Sequence, residues 1–293
     1  MLKSNSTCAR HMNLVEKRRK MEPFVKWAGG KRQLLERLNA RLPEKFNTYY
    51  EPFVGAGALW LDLKPRRAVI NDNNSQLMNC YYAIKKNPRE MLRKIQELDN
   101  TVCNQEFYMQ IRERYNSKII KGELDVEMAA LMIWINKHCF NGLYRTNKQG
   151  LFNVPYNNKF TGKSIDEMNV GMISYYLNDA DVKMLCVDFE EACRDCKEGD
   201  FVFFDSPYVP ISKTAGFVDY TKESFKKEDH ERLARLFREL DSRGCYCMLT
   251  NHNVEWVHEL YAGYNIEEVD VKRAINSNAS KRTGKEVIIT NYA

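Results

Sequence analysis

Phe201-Val202-Phe203-Phe204-Asp205-Ser206-Pro207-Tyr208 runs four apolar residues into an acid, a proline and an aromatic ring. A wholly apolar run suits a central parallel strand buried on both faces, and ligands of open α/β sheets bind at the carboxyl ends of such strands. An Asp-x-Pro-aromatic turn at that edge suits work on an amino group attached to a heteroaromatic ring. The lone pair of such an amine is delocalised into the ring and must be drawn out before it attacks an electrophile. The Asp205 carboxylate and the Ser206 carbonyl can each accept one amine proton, while Pro207 stiffens the turn and Tyr208 stacks on the ring. A plain strand-end turn is the competing reading, and the better one for any isolated Asp-x-Pro.

Glu51-Pro52-Phe53-Val54-Gly55-Ala56-Gly57 sets small residues where a strand gives way to a helix, so that backbone can approach a ligand closely at the helix N-terminus. Asp72 follows Glu51 by 21 residues, at the end of the next expected strand. Dinucleotide and nucleoside folds place a carboxylate there on ribose hydroxyls. Spacing alone also admits a tight turn and a surface aspartate. Cys193 and Cys196 form a CxxC, but no second pair stands at zinc-site spacing, so free thiols and no metal site are expected.

These residues need a sheet to assemble them, and the hydrophobic periodicity supplies its strands at 49–53, 68–70, 184–187, 201–205, 245–250, 266–271 and 286–291. Helices are expected at 74–84, 88–98, 105–115, 124–137, 223–240 and 253–260, and one opened by Gly29-Gly30 around Leu34, Leu35 and Leu38. Residues 140–163, rich in Asn, Gly, Lys and aromatics, read as an irregular hairpin. Strand–helix alternation broken by a helical block implies an α/β fold: a doubly wound, mostly parallel sheet carrying a mainly helical insertion. The corresponding division assigns 1–20 to a disordered basic lead, 21–73 and 179–293 to the sheet domain, and 74–178 to the insertion.

With 44% hydrophobic residues in 293, the chain can bury a full core. Its 45 Lys+Arg against 39 Asp+Glu leave a formal charge of +6, which suits an anionic partner without demanding one. Nine scattered cysteines, an odd number, fit reduced thiols in a cytosolic protein. No apolar stretch of secretory length follows the basic start, and the longest apolar run, 129–135, is too short to cross a bilayer. A cytoplasmic protein without a membrane span is expected.

Several of these segments, in order, resemble those of the Dam-type DNA adenine methyltransferases. Phe24-Val25-Lys26-Trp27-Ala28-Gly29-Gly30-Lys31 is similar to the family's N-terminal cofactor motif, and Glu51 to Gly57 to its FxGxG motif. Asp205 to Tyr208 stands where the family has Asp-Pro-Pro-Tyr. Asn141-Gly142-Leu143-Tyr144-Arg145, with Phe152-Asn153-Val154-Pro155-Tyr156, resembles its target-recognition hairpin. The similarity runs from about Pro23 to Tyr292, in the motif order of the alpha group of amino-methyltransferases.

The resemblance implies a Rossmann-like sheet of seven strands with the last antiparallel, and S-adenosylmethionine as cofactor. Trp27, Ala28 and Lys31 would line the cofactor's methionine end, and Glu51, Phe53, Gly55 and Gly57 form its loop. Asp72 would hold its ribose, Asp188 and Phe189 its adenine, and Asp205 would border both ligands. The reaction implied is in-line methyl transfer to the N6 amine of an adenine flipped out of double-stranded DNA, without a metal, and within GATC. Phe140 and Asn141 would meet the vacated duplex position, and Arg145 would read guanine, a contact worth roughly 1–3 kcal/mol of discrimination, or else hold a phosphate. Pro155 and Lys159 belong to the same hairpin, and Arg273 to a late basic loop suited to phosphates. A bacterial or phage monomer is implied, with a cognate restriction endonuclease as possible partner.

Two departures stand out. Ser206 replaces the family's usual proline, and Asn157-Asn158-Lys159-Phe160 replaces its Gly-Arg-Tyr-Lys, leaving lysine to stand in for a more directional arginine. Ser206 still precedes a proline, which favours the extended backbone that presents its carbonyl. The departures motivate a second reading, a catalytically weak DNA-binding protein gated by S-adenosylmethionine. A third is an RNA or protein amino-methyltransferase, since such loops serve several planar amines.

Overall fold

The computed structural model describes residues 19–159, 162–211, 225–272 and 283–293; Arg273 and the rest of the late basic loop lie outside them. A short 3-10 turn, Lys31–Gln33, leads into α1 (Leu35–Asn39), β1 (Tyr49–Glu51), α2 (Ala58–Leu63) and β2 (Arg67–Asn71). Five helices follow: α3 (Ser75–Lys86), α4 (Pro88–Asp99), α5 (Gln105–Lys121), α6 (Val126–His138) and α7 (Glu167–Asp179). The alternation then resumes with β3 (Asp181–Leu185), α8 (Phe189–Ala192), β4 (Phe201–Phe204) and α9 (Lys227–Ser242). It closes with β5 (Tyr246–His252), α10 (Glu255–Leu260), β6 (Asn265–Lys272) and β7 (Thr283–Thr290).

The seven strands form one sheet in the order β3-β2-β1-β4-β5-β7-β6, parallel throughout except for β7, which runs antiparallel to β5 and β6. The chain steps outward from β1 to β2 and β3, then returns to β4 on the other side of β1. The carboxyl ends of β1 and β4 therefore flank a topological switch point, where such sheets open a crevice. All four residues of β4 are buried, and the pleat divides them between two cores. Phe201 and Phe203 join the cluster on one face, Val202 and Phe204 the cluster on the other, where Leu233, Phe237 and Leu240 of α9 cover them.

Four of the five helices between β2 and β3 start at side-chain caps: Asn74 on α3, Asn104 on α5, Asp125 on α6 and Asp166 on α7 each accept a hydrogen bond from a backbone N–H of the first turn, whereas α4 opens on Pro88 without one. Every residue of α6 from Met128 to Asn136 is buried, because α3, α4 and α5 surround it. Trp134 shares one apolar cluster with Phe201 and Phe203, so this helical block packs onto the sheet. Residues 139–156 form the irregular hairpin, with a 3-10 turn at Phe140–Gly142 and bridges Cys139 to Tyr156 and Thr146 to Phe152.

Several elements differ from the sequence reading: α8 (Phe189–Ala192) was not expected, and β7 begins at Thr283 rather than 286. Helix α7 was not anticipated, since Asn169, Gly171, Ser174 and Asn178 blur its apolar period, although Asp166 marks its start. β3 begins at Asp181 rather than 184, where it pairs in register with Arg67 of β2. Arg19 and Lys20, assigned to the basic lead, pair with Asp166 and Asp62. No helix of the described residues is long and apolar enough to cross a membrane.

Candidate active site

Where β4 ends, Asp205 stands with its side chain 19% exposed and its Oδ1 2.6 Å from Lys31 Nζ. Thr250 Oγ1, near the end of neighbouring β5, donates to the same oxygen at 3.1 Å. Burial pushes the Asp205 pKa above the usual carboxylate range, and Lys31 and Thr250 oppose that rise. The Tyr208 hydroxyl donates to Glu286 Oε2 at 3.0 Å, and its ring meets His252 edge-on at 4.8 Å. Lys31 Nζ lies 4.7 Å from the centre of that ring. Asn251 Oδ1 accepts from Val209 N at 2.9 Å, and His252 Nδ1 lies 2.7 Å from Val209 O, so β5 braces the loop beyond Tyr208. Ser206 is buried, and its hydroxyl has no hydrogen-bond partner among the described residues.

The glycine loop after β1 forms the opposite wall. Gly55, at φ +48, lies so close to Trp27 that a Cβ there would fall 2.9 Å from the indole Cδ1. Its N–H donates to Asp72 Oδ2 at 3.1 Å, and Asn74 N donates to Asp72 Oδ1 at 2.9 Å. Burial pushes the Asp72 carboxyl up to about 6, against these two backbone donors. Glu51, fully enclosed at the end of β1, accepts from the Tyr49 hydroxyl at 2.7 Å. Burial, opposed by that hydrogen bond and reinforced by nearby Asp205, pushes it up to about 8, so it is largely neutral at pH 7.

Both walls face one cleft of about 1620 Å³. Trp27, Ala28, Lys31, Glu51, Phe53, Gly55, Gly57, Asp72 and Asp205 to Tyr208 all line it, which brings together motifs far apart in the chain. Asp188 and Phe189 do not line it. Asp188 caps α8 and pairs with Arg232 at 2.8 Å, and Phe189 packs behind Phe53 at 5.3 Å between ring centres, under the Arg232 guanidinium. Phe140, Asn141, Arg145, Pro155 and Lys159 are exposed on the hairpin, with Arg145 Nε donating to Asn153 Oδ1 at 2.8 Å. Thr250, Asn251, His252 and Glu286 were not anticipated. β5 was expected, but only the strand order shows that its end lies beside β4 and that His252 pairs with Glu286 of β7.

Known proteins are similar to this chain over nearly its whole length. The Type II methyltransferase M1.LlaDCHI of Lactococcus lactis subsp. cremoris is 41% identical over 286 residues, covering 96% of this chain and 99% of that protein. The Type II methyltransferase M.MjaIII of Methanocaldococcus jannaschii is 39% identical, covering 93% of this chain and 99% of its own. The DNA adenine methylase of Escherichia coli K12 is 31% identical, covering 94% and 96%. A family model for D12 class N6 adenine-specific DNA methyltransferases matches residues 27–275, from Trp27 of the cleft through the whole Asp205 loop. The chain therefore belongs to the D12 class N6 adenine-specific DNA methyltransferase family.

Proposed function

We propose that this chain transfers a methyl group from S-adenosylmethionine to the N6 amine of an adenine flipped out of double-stranded DNA, within GATC. The observation that carries the reading is the pairing, across one cleft, of the Asp205 to Tyr208 loop with the glycine loop after β1. The cleft suits that cofactor chemically. Gly55 has no room for a side chain beside Trp27, which keeps the loop backbone approachable, and the carboxyls of Asp72, Glu51 and Asp205 suit a ligand bearing hydroxyls and positive charge. Trp27, Ala28 and Lys31 would hold its methionine end and Asp72 its ribose. Asp188 and Phe189 would reach its adenine only beyond Phe53.

When bound, S-adenosylmethionine supplies an electrophilic methyl group on a sulfonium cation. Lys31 and Thr250 both engage Oδ1 of Asp205, so Oδ2 is the oxygen left to accept one amine proton. The Ser206 carbonyl accepts the other, which draws the amine lone pair out of conjugation, and Tyr208, anchored by Glu286, stacks on the base. The proton released when N6 is methylated passes to Asp205 Oδ2 and then to solvent. Holding both reactants at near-attack distance supplies much of the acceleration.

Residues 74–178 serve as the target-recognition part. Phe140, exposed where the hairpin leaves α6, fills the place left by the flipped base, and Arg145, steadied by Asn153, reads the target. Two relatives are named Type II methyltransferases, and we assign this chain the same setting, as a monomer beside a cognate endonuclease. Expression in a host lacking adenine methylation, followed by sequencing of modified bases, tests the reading. N6-methyladenine at GATC is expected; methylation at another motif overturns the target, and unmodified DNA overturns the reaction.

A further inference from the structure

Asn136 lies in the last turn of α6, only 4% exposed, among the apolar side chains of Ile133, Trp134 and Ile135. A buried amide without partners is costly, so its bonds identify what it is there to hold. Its Oδ1 accepts from Lys26 N at 2.8 Å, and its Nδ2 donates to Lys26 O at 2.9 Å and to Gly142 O at 3.0 Å. One side chain thus clasps both backbone groups of Lys26, next to Trp27 in the cleft wall, and ties them to buried Gly142, the end of a turn whose Phe140 and Asn141 are exposed.

Two further contacts run beside this clasp. Gly142, at φ +64, packs so closely that a Cβ would lie 2.5 Å from Lys26 Cδ. Tyr144 stacks on Trp27 with ring centres 5.1 Å apart and planes 26° apart. Trp27 in turn abuts Gly55, whose N–H is bonded to Asp72. Packed atoms therefore connect the hairpin turn to the glycine loop without a break.

We propose that Asn136 is a positioning residue that couples the DNA-facing turn to the cofactor side of the cleft, so that each ligand binds more tightly when the other is present. The inference rests on the proposed reaction, in which residues 140–145 meet DNA and Trp27 to Gly57 hold S-adenosylmethionine. DNA that fixes the turn also fixes Lys26 and Trp27 through Asn136, so the cofactor no longer bears the entropy of ordering that wall. Linkage makes the effect reciprocal. Contiguity alone does not establish coupling, so the test must read a coupling ratio.

The test titrates the full chain with S-adenosylhomocysteine by calorimetry, without and with a saturating duplex carrying the mapped target. In the wild-type protein the duplex should tighten binding about tenfold. Asn136→Leu keeps the volume and removes all three hydrogen bonds, and its ratio should fall to about one, while Asn136→Asp, which keeps the acceptor for Lys26 N, should retain an intermediate ratio. A residue that only filled the core would change melting temperature and the separate affinities but leave the ratio intact. If circular dichroism shows that Asn136→Leu does not fold, Tyr144→Leu, which removes the stack on Trp27, carries the test with the same expected fall. An unchanged ratio in a folded variant overturns the coupling, as does a wild-type ratio of one. A wild-type protein that binds no S-adenosylhomocysteine under either condition overturns the proposed reaction itself.

Discussion

Lys31 is 5% exposed, with its ammonium between the Asp205 carboxylate and the face of Tyr208. In the proposed reaction Asp205 must be ionised to accept an amine proton, and Lys31 is the partner that does most to lower its raised pKa. Replacing Lys31 by Met should therefore raise the Asp205 pKa further and move the acid limb of the pH–rate profile, taken at saturating ligands, to higher pH. An unmoved limb would mean that Lys31 does not set that charge. Glu51 makes a separate prediction about stability. Its folded pKa of about 8 exceeds the ordinary glutamate value of 4.5, so between those values the folded state binds more protons than the unfolded one. Stability from this group is present below the unfolded pKa and is lost as pH rises towards the folded one, by on the order of a few kcal/mol. Glu51→Gln, which still offers Tyr49 an acceptor, should flatten that loss in melting curves taken across the window. A variant with the wild-type slope would place the pH dependence elsewhere.

The glycine loop after β1 and the turn after β4 are the elements on which these side chains depend. A methyl group at Gly55 would collide with Trp27 and force a positive φ on alanine, so Gly55→Ala should weaken binding of S-adenosylmethionine by about tenfold or more with little change in helix content. Fluorescence titration alongside circular dichroism checks it, and unchanged affinity would show that the loop tolerates displacement of the indole. Both elements were legible in the sequence because their signals are local: an apolar run ended by Asp-x-Pro-Tyr, and a strand ended by Gly-Ala-Gly. Helix α7 was not, because polar residues and Gly171 break its pattern. Asn136 was equally silent, being one polar residue at the end of the apolar run Met128–Ile135, just before Lys137. Its meaning lies in Lys26 and Gly142, which only tertiary packing brings to it.

Across the whole molecule, the doubly wound architecture was readable from the alternation of strands and helices, but the neighbours of each strand were not. β7, last in sequence, inserts between β5 and β6 and carries Glu286 to Tyr208, and β5 carries Thr250 to Asp205. Residues from both ends of the chain thus converge because the strand order reverses between the parallel neighbours β1 and β4, leaving the cleft at that switch point. The hairpin hangs from the same wall through Asn136 and Tyr144, which in the proposed function would join DNA recognition to methyl transfer. The most direct test of the whole account is to incubate the purified protein with tritiated S-adenosylmethionine and unmethylated plasmid, then digest the DNA to nucleosides. The wild-type protein should place the label in N6-methyladenine, and Asp205→Ala should bind both ligands but transfer none. Tight DNA binding by the wild-type protein without label, or full transfer by Asp205→Ala, would contradict the assignment of Asp205 to Tyr208 as the catalytic loop.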